Sequence, residues 1–261
     1  MDVRDKVVVV TGGGSGIGAA LARRFASDGA AAVAVVDRSV QAADTVAHDI
    51  GAKAYCVDVS AEAAVRTLVA DLLDEHGRID LFCSNAGITT GVELDDPDDL
   101  WHQALEINLM AHVYAARAVL PSMLEHGTGY LLNTASAAGL LTSPGDAPYA
   151  VSKHGAVAFA EWLAITYGGR GIGVSVLCPL GVATPLLLDP LAAGNPGAQA
   201  VAASGQIISV EQVVDMVVDG LATERFLILP HPEVGTFWAQ KASNPDRWLA
   251  GVRRLVDRGQ S

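Results

Sequence analysis

The chain of 261 residues is long enough to bury one α/β core, and 51% hydrophobic against 18% charged residues suits a sheet covered on both faces. A formal net charge of −12 makes nucleic acid and anionic membrane surfaces poor partners. No apolar run approaches the ~18 residues that a spanning helix needs, and no signal-peptide pattern opens the sequence.

The first strand is expected over 6–11, where Val7 to Val10 form an all-valine run. It leads into Thr11-Gly-Gly-Gly-Ser-Gly-Ile-Gly18 and a helix over 16–27. Buried strand, glycine turn and helix in that order build a phosphate cradle. Gly12, Gly16 and Gly18 provide a tight turn, close approach of backbone to pyrophosphate and close helix packing, and Ser15 and Ile17 line the same turn. A second strand over 32–37 ends in Asp37, about 20 residues beyond the turn, where a carboxylate can accept from the adenosine ribose 2′-hydroxyl. The same carboxylate would face the 2′-phosphate of NADP, and like charges at ~4 Å cost on the order of 4 kcal/mol at an effective dielectric near 20. NAD is therefore the expected cofactor, with Arg38 the neighbouring group able to receive a phosphate.

Further strands are expected over 53–57, 79–84, 129–134, 172–178 and 226–229, and helices over 40–48, 61–76, 98–125 and 148–167. Right-handed crossovers wind these into a doubly wound, seven-stranded parallel sheet with helices on both faces, one domain over 1–261. Asp58-Val59 follows the third strand, Asn85-Ala86-Gly87 the fourth, and Asn108 lies inside the long fourth helix. Ser136 closes the fifth strand, thirteen residues before Tyr149. Tyr149 and Lys153, four apart, share one face of a helix. An ammonium beside a phenol stabilises the phenolate, so Tyr149 is expected to exchange a proton near neutral pH. Past the sixth strand runs Cys178-Pro179-Leu180-Gly181-Val182-Ala183-Thr184. The stretch 184–208 then breaks the rhythm with a single charge, Asp189, at the strand end where ligands bind in this architecture.

This ordered series resembles the short-chain dehydrogenase/reductase family over residues 7–229. The resemblance implies an oxidoreductase that moves a hydride and a proton together. Ser136 would hold the substrate oxygen. Tyr149 would act as base in oxidation and acid in reduction. Lys153 would lower the phenol pKa and bond the nicotinamide ribose, and Asn108 would hold a water for the proton relay. Asp58 and Val59 would face adenine, Asn85, Ala86 and Gly87 would run along the cofactor with Asn85 tying the sheet, and Pro179, Val182 and Thr184 would close over nicotinamide. Two positions depart from the family pattern: Ser84 replaces the usual first asparagine, and Leu180 the usual glycine. Ser15 supplies none of the basic character that many NADP-using relatives carry there. The family also implies that 184–208 is a substrate lid and that small-residue helices, with Ala111, Ala115, Ala116 and Ala118 on one and Ala156, Ala158 and Ala160 on the other, pair across subunits. A homotetramer is expected, with a dimer as runner-up.

Substrate walls are expected from 88–92, 137–146 and the lid, which contain Leu140, Leu141, Leu186, Leu187 and Leu188 but no Lys or Arg. An acidic group is normally met by a cation. The expectation is a neutral, largely apolar secondary alcohol, cyclic, aryl or steroid-like, interconverted with its ketone. The alternatives are an NADP-dependent carbonyl or 3-oxoacyl reductase and a non-catalytic NAD-sensing binding protein. Cys56, Cys83 and Cys178 are odd in number and lack Cys-X-X-Cys or zinc spacing, so reduced core residues of a cytoplasmic protein are expected. No metal site is expected, since His102, His112 and His231 show no ligand spacing. His154, rotated ~100° from Lys153, should sit at a surface or interface, and Trp101 and Trp162 should pack helices. A helical tail over 232–258, with Phe237, Trp238 and Trp248, packs on its own subunit or reaches a neighbour's site.

Overall fold

The computed structural model describes residues 1–91, 94 and 97–259. Seven parallel strands, β1 (Val7–Thr11), β2 (Ala32–Asp37), β3 (Lys53–Cys56), β4 (Leu81–Ser84), β5 (Gly129–Thr134), β6 (Ile172–Leu177) and β7 (Leu227–Ile228), lie in the order β3-β2-β1-β4-β5-β6-β7. Helices α1 (Gly16–Ser27), α2 (Val40–Ile50) and α9 (Val210–Ala222) cover one face. Helices α3 (Glu62–His76), α5 (Ala111–Glu125) and α6 (Ala147–Tyr167) cover the other. The expected doubly wound sheet is present.

The valine run explains the centre. Val7 and Val9 join one core cluster with Leu68, Val119 and Leu163, while Val8 and Val10 join the other with Phe25, Val46 and Val217. Side chains alternate across a strand, so a strand buried on both sides must be apolar throughout. Each such side chain contributes about 1.5–3 kcal/mol relative to exposure. The strand order reverses between β1 and β4, which opens a crevice at their carboxyl ends.

Several expectations need correction. The single helix over 98–125 is α4 (Asp98–Leu105), a π-helical stretch (Glu106–Met110) and α5. The stretch 184–208 carries two short helices, α7 (Pro185–Ala192) and α8 (Pro196–Ser204), and α9 was not expected at all. Ser209 opens α9 with a reciprocal capping box to Gln212, and Val213, Val217 and Leu221 bury its inner face. The tail is α10 (Pro232–Ser243) and α11 (Pro245–Gly259). Of the small residues expected at a subunit contact, Ala111, Ala115, Ala116, Ala156 and Ala160 are instead buried within the chain. Cys83 and Cys178 are buried thiols as expected, but Cys56 is exposed. Trp162 is half exposed, stacked at 6.4 Å on Phe159 and edge-on at 5.8 Å to Tyr167. Among the described residues, no helix is long and apolar enough to cross a membrane.

Candidate active site

One continuous cleft of about 1920 Å³ opens above the carboxyl ends of the strands. Every residue predicted for the catalytic or cofactor set lines it except Gly18 and Asn108, which lie behind the lining; of the leucines expected in the substrate walls, Leu140 is instead buried in the core and Leu188 faces outside the cleft. Val92, expected in a substrate wall, lies outside the described residues.

The glycine turn is built by exclusion. A Cβ on Gly18 would sit 2.1 Å from the Gly12 carbonyl oxygen, and one on Gly12, at φ +63°, would sit 2.9 Å from Ala86 Cα. Only bare backbone lets α1 start this close to β4. The Ser15 side chain does not cap α1, so the amides of its first turn stay available to an anion. At the rim, Asp37 accepts from the Gly14 N–H at 3.1 Å and the Ser39 N–H at 2.9 Å. Ser39 itself caps α2 through Ala42, leaving Asp37 as a cleft residue. Asp58 accepts from the Ser60 hydroxyl and amide, which lower its pKa, with a smaller contribution from Arg38.

Behind the turn, Asn85 ties three strands together. Its Nδ2 donates to the Thr11 carbonyl at 3.1 Å, and its Oδ1 accepts from Thr134 Oγ1 at 3.1 Å. Thr11 Oγ1 in turn accepts from the amides of Asn85 and Ala86. Ser84, in place of the family asparagine, is buried and leaves this stitching intact.

Ser136, Tyr149 and Lys153 meet at one end of the cleft. Lys153 Nζ, 3% exposed as a residue, donates to the Thr134 carbonyl at 2.9 Å and lies 5.7 Å from the Tyr149 ring centroid. Burial pushes the Lys153 ammonium down to about 8. Burial pushes the Tyr149 phenol up to about 12, opposed by its hydrogen bond with Ser136 and reinforced by the charge of Asp146. The expectation of a phenol titrating near neutrality is therefore not met by this pocket alone, because desolvation outweighs the benefit of the four-residue spacing. Asn108 is fully buried in the π-helical stretch. Its Oδ1 accepts from the Ile88 N–H at 2.9 Å, and its Nδ2 donates to the Ile88 carbonyl and Ser152 Oγ, both at 3.0 Å. A Cβ on Gly87 would meet Asn108 Oδ1 at 3.1 Å and Lys153 Nζ at 3.2 Å, so these two groups flank one glycine. The cleft thus has an anion cradle at one end and a buried hydroxyl, phenol and ammonium at the other, which fits a dinucleotide lying between them.

Four other side chains make contacts that sequence spacing does not reveal. Asp146, buried at the start of α6, accepts from the amides of Thr90, Gly91 and Tyr149 and from Thr90 Oγ1. It joins a substrate wall to the catalytic helix. Lys241 of α10 donates to the carbonyls of Leu140 at 2.7 Å and Leu141 at 2.9 Å, which lays the tail over its own chain's cleft. His154, expected at a surface or interface, donates from Nδ1 to the Ala150 carbonyl and turns Nε2 to Lys241 at 3.4 Å. Phe237, Gln240 and Trp248 line the cleft from the tail, as do the exposed Arg247 and Arg254. Finally, His231 sits behind the loop 179–184.

Comparisons with known proteins bear on the family and the fold. The family model described as short chain dehydrogenase matches residues 6–190. A 1-deoxy-11-beta-hydroxypentalenate dehydrogenase of Streptomyces exfoliatus is 36% identical over 244 residues, 89% of this chain and 86% of the relative. A 3beta-hydroxysteroid dehydrogenase of Mediterraneibacter gnavus is 36% identical, with 70% and 68% covered. A Burkholderia phymatum short chain dehydrogenase/reductase, crystallised in complex with NAD, superposes with a TM-score of 0.85 at 28% identity, covering 94% of this chain and 96% of that one.

Proposed function

Because this chain belongs to the short-chain dehydrogenase family, we propose that it is an NAD-dependent oxidoreductase interconverting a neutral, largely apolar secondary alcohol and its ketone. The observation that carries the reading is the convergence of Ser136, Tyr149 and Lys153 at the end of the cleft opposite Asp37.

When bound, NAD would supply the hydride acceptor for oxidation and, reduced, the hydride donor for reduction. The protein supplies the rest. Gly12, Ser15, Gly16, Ile17 and Gly18 hold the pyrophosphate; Asp37 takes the adenosine ribose and Asp58 with Val59 the adenine. Ser136 holds the substrate oxygen against Tyr149, which removes its proton during oxidation and returns it during reduction. Lys153, already carrying a positive charge across the pocket, orients the nicotinamide ribose and favours the phenolate. Asn108 steadies the wall at Ile88 and, across Gly87 from Lys153, borders the place for a relay water. Pro179, Val182 and Thr184 close over the nicotinamide.

Burial keeps the phenol protonated, so alcohol oxidation, which needs the phenolate, should rise with pH until about 8, where Lys153 begins to lose the charge that favours it, and then level off. Ketone reduction, which needs the phenol, should show no such rise. The test is nicotinamide absorbance over a panel of secondary alcohols with NAD and NADP. Tyr149→Phe should lower kcat by about 10³-fold while leaving NADH binding within twofold. A variant as active as the native protein would refute the assignment.

Leu141, Leu186 and Leu187 give the substrate end apolar walls, and the hydroxysteroid named for one relative is an apolar secondary alcohol of the kind proposed. Arg38, beside Asp37 at the rim, gives the NADP alternative a foothold, and its charge already acts on Asp58. A reducing, cytoplasmic setting is in keeping with three unbridged thiols. For the homotetramer, support comes from an exposed apolar stripe on α6, Val151, Trp162 and Ile165, the last 84% exposed. Sedimentation should give a mass of four chains, and a monomer would remove this part of the proposal.

A further inference from the structure

We infer that His231 is the positioning residue of the loop that closes over the nicotinamide, an inference that rests on the cofactor site proposed above. His231 follows β7 and stands at the start of α10, where its side chain does not cap the helix. It is 2% exposed, and its ring points instead at backbone from two other parts of the chain. Nδ1 lies 3.1 Å from the Leu180 amide nitrogen. Nε2 lies 3.1 Å from the carbonyl oxygens of both Gly181 and Gln206. A carbonyl can only accept and an amide can only donate, so these partners select one neutral tautomer: Nε2 carries the proton and Nδ1 is the acceptor. One imidazole thus joins the exit of β6, the far end of the lid and the turn after β7.

Elsewhere the loop is held mainly by backbone, with longer side-chain contacts from Ser136 to the Pro179 carbonyl and from Thr184 to the Val182 carbonyl. The Ile208 N–H donates to Gly181 at 3.0 Å, and the Ala183 N–H donates to Ile208 at 2.9 Å. These bonds fix 181–183 against the lid end, but none of them engages the Leu180 amide. On the other side, the Pro179 carbonyl accepts from the Ala137 N–H at 2.8 Å and faces Ser136 Oγ at 3.5 Å. A shift of Leu180 would therefore pass to Ser136 in one direction and to Val182 and Thr184 in the other.

The same contacts account for Leu180 itself. Neither Leu180 nor Gly181 adopts a positive φ, so the loop needs no glycine at 180. The leucine side chain packs against the core cluster, and a Cβ on Gly205 would approach its Cδ2 to 3.2 Å. The side chain thus wedges under the lid while the histidine holds the main chain.

Binding separates this role from folding and from catalysis. ADP-ribose fills the adenine end without touching the nicotinamide loop, whereas NADH needs both ends. In His231→Leu, the Leu180 amide and the two carbonyls lose their partner. NADH affinity should fall about tenfold while ADP-ribose affinity stays within twofold. Two further variants divide the links. Asn places its amide near the Nδ1 position and can still accept from Leu180; Gln places its amide near Nε2 and can still donate to Gly181 and Gln206. Each should recover part of the NADH affinity, and each should fold if the leucine variant does not. With bound alcohol and cofactor, the leucine variant should also show a larger primary deuterium isotope effect, because hydride transfer from a misplaced ring becomes slower. Equal loss of NADH and ADP-ribose affinity, or native NADH affinity in all three variants, would overturn the inference and leave the proposed function standing. A native protein that binds NADH no more tightly than ADP-ribose would overturn the cofactor reading and this inference together.

Discussion

The cradle at the adenine end and the cover at the substrate end of the same cleft are built by different means. In the cradle, backbone meets backbone: Gly18 lies against Gly12, and Gly12 against Ala86, at distances that no side chain tolerates. In the cover, single side chains pin segments far apart in the chain. Lys241 reaches Leu140 and Leu141, Asp146 reaches Thr90 and Gly91, and His231 reaches Leu180 and Gln206. A backbone cradle imposes residue types at fixed spacing, so it is visible as a motif. A side-chain pin needs only one residue of the right length, and its spacing obeys no local rule.

If the two ends are separable, substitutions at each should alter one binding step and spare the other. The larger effect is expected at the cradle. Asp37→Ser removes a carboxylate from the rim, where its repulsion of a 2′-phosphate at ~4 Å is on the order of 4 kcal/mol before screening by salt. The preference for NAD over NADP, measured as a ratio of kcat/KM values, should fall about a hundredfold. The ranking of alcohols should not change. An unchanged cofactor ratio would show that the carboxylate does not face the ribose, and a changed alcohol ranking would show that the ends are coupled.

The same distinction explains how much was legible beforehand. The doubly wound sheet, the glycine turn, Asp37 and the pairing of Tyr149 with Lys153 follow from local pattern, Asn85 and Ser136 from the family resemblance, and the structure brings these residues to one cleft. Helix α9 is legible too, through Ser209 with Gln212 and the spacing of Val213, Val217 and Leu221, although the expected elements do not include it. The π-helical stretch was not legible, because Glu106 to Met110 carries no helix breaker and the widened turn is set by packing around Asn108. Spacing also placed Lys153 near Tyr149 correctly, yet spacing carries no information about dielectric. The phenol at about 12 reflects desolvation, which only the folded pocket reveals. Nothing in Gly145-Asp146-Ala147 points to Thr90, and only the fold makes Asp146 its neighbour.

The smaller effect belongs to the cover. Lys241→Met keeps the aliphatic stem but loses both hydrogen bonds to Leu140 and Leu141. Those carbonyls are then left to water, so the loss is less than that of a sealed pair, and a charged donor at a partly buried site contributes modestly. The tail carrying Phe237 and Trp248 would stand further from the loop that ends at Asp146, widening the substrate end without touching the cradle. KM for the alcohol should rise about fivefold, with kcat and NADH affinity each within twofold of the native protein. The direction of the split matters more than its size. A fall in NADH affinity equal to the rise in KM would mean that the tail holds the cofactor as well, and the two ends of the cleft would have to be treated as one binding unit.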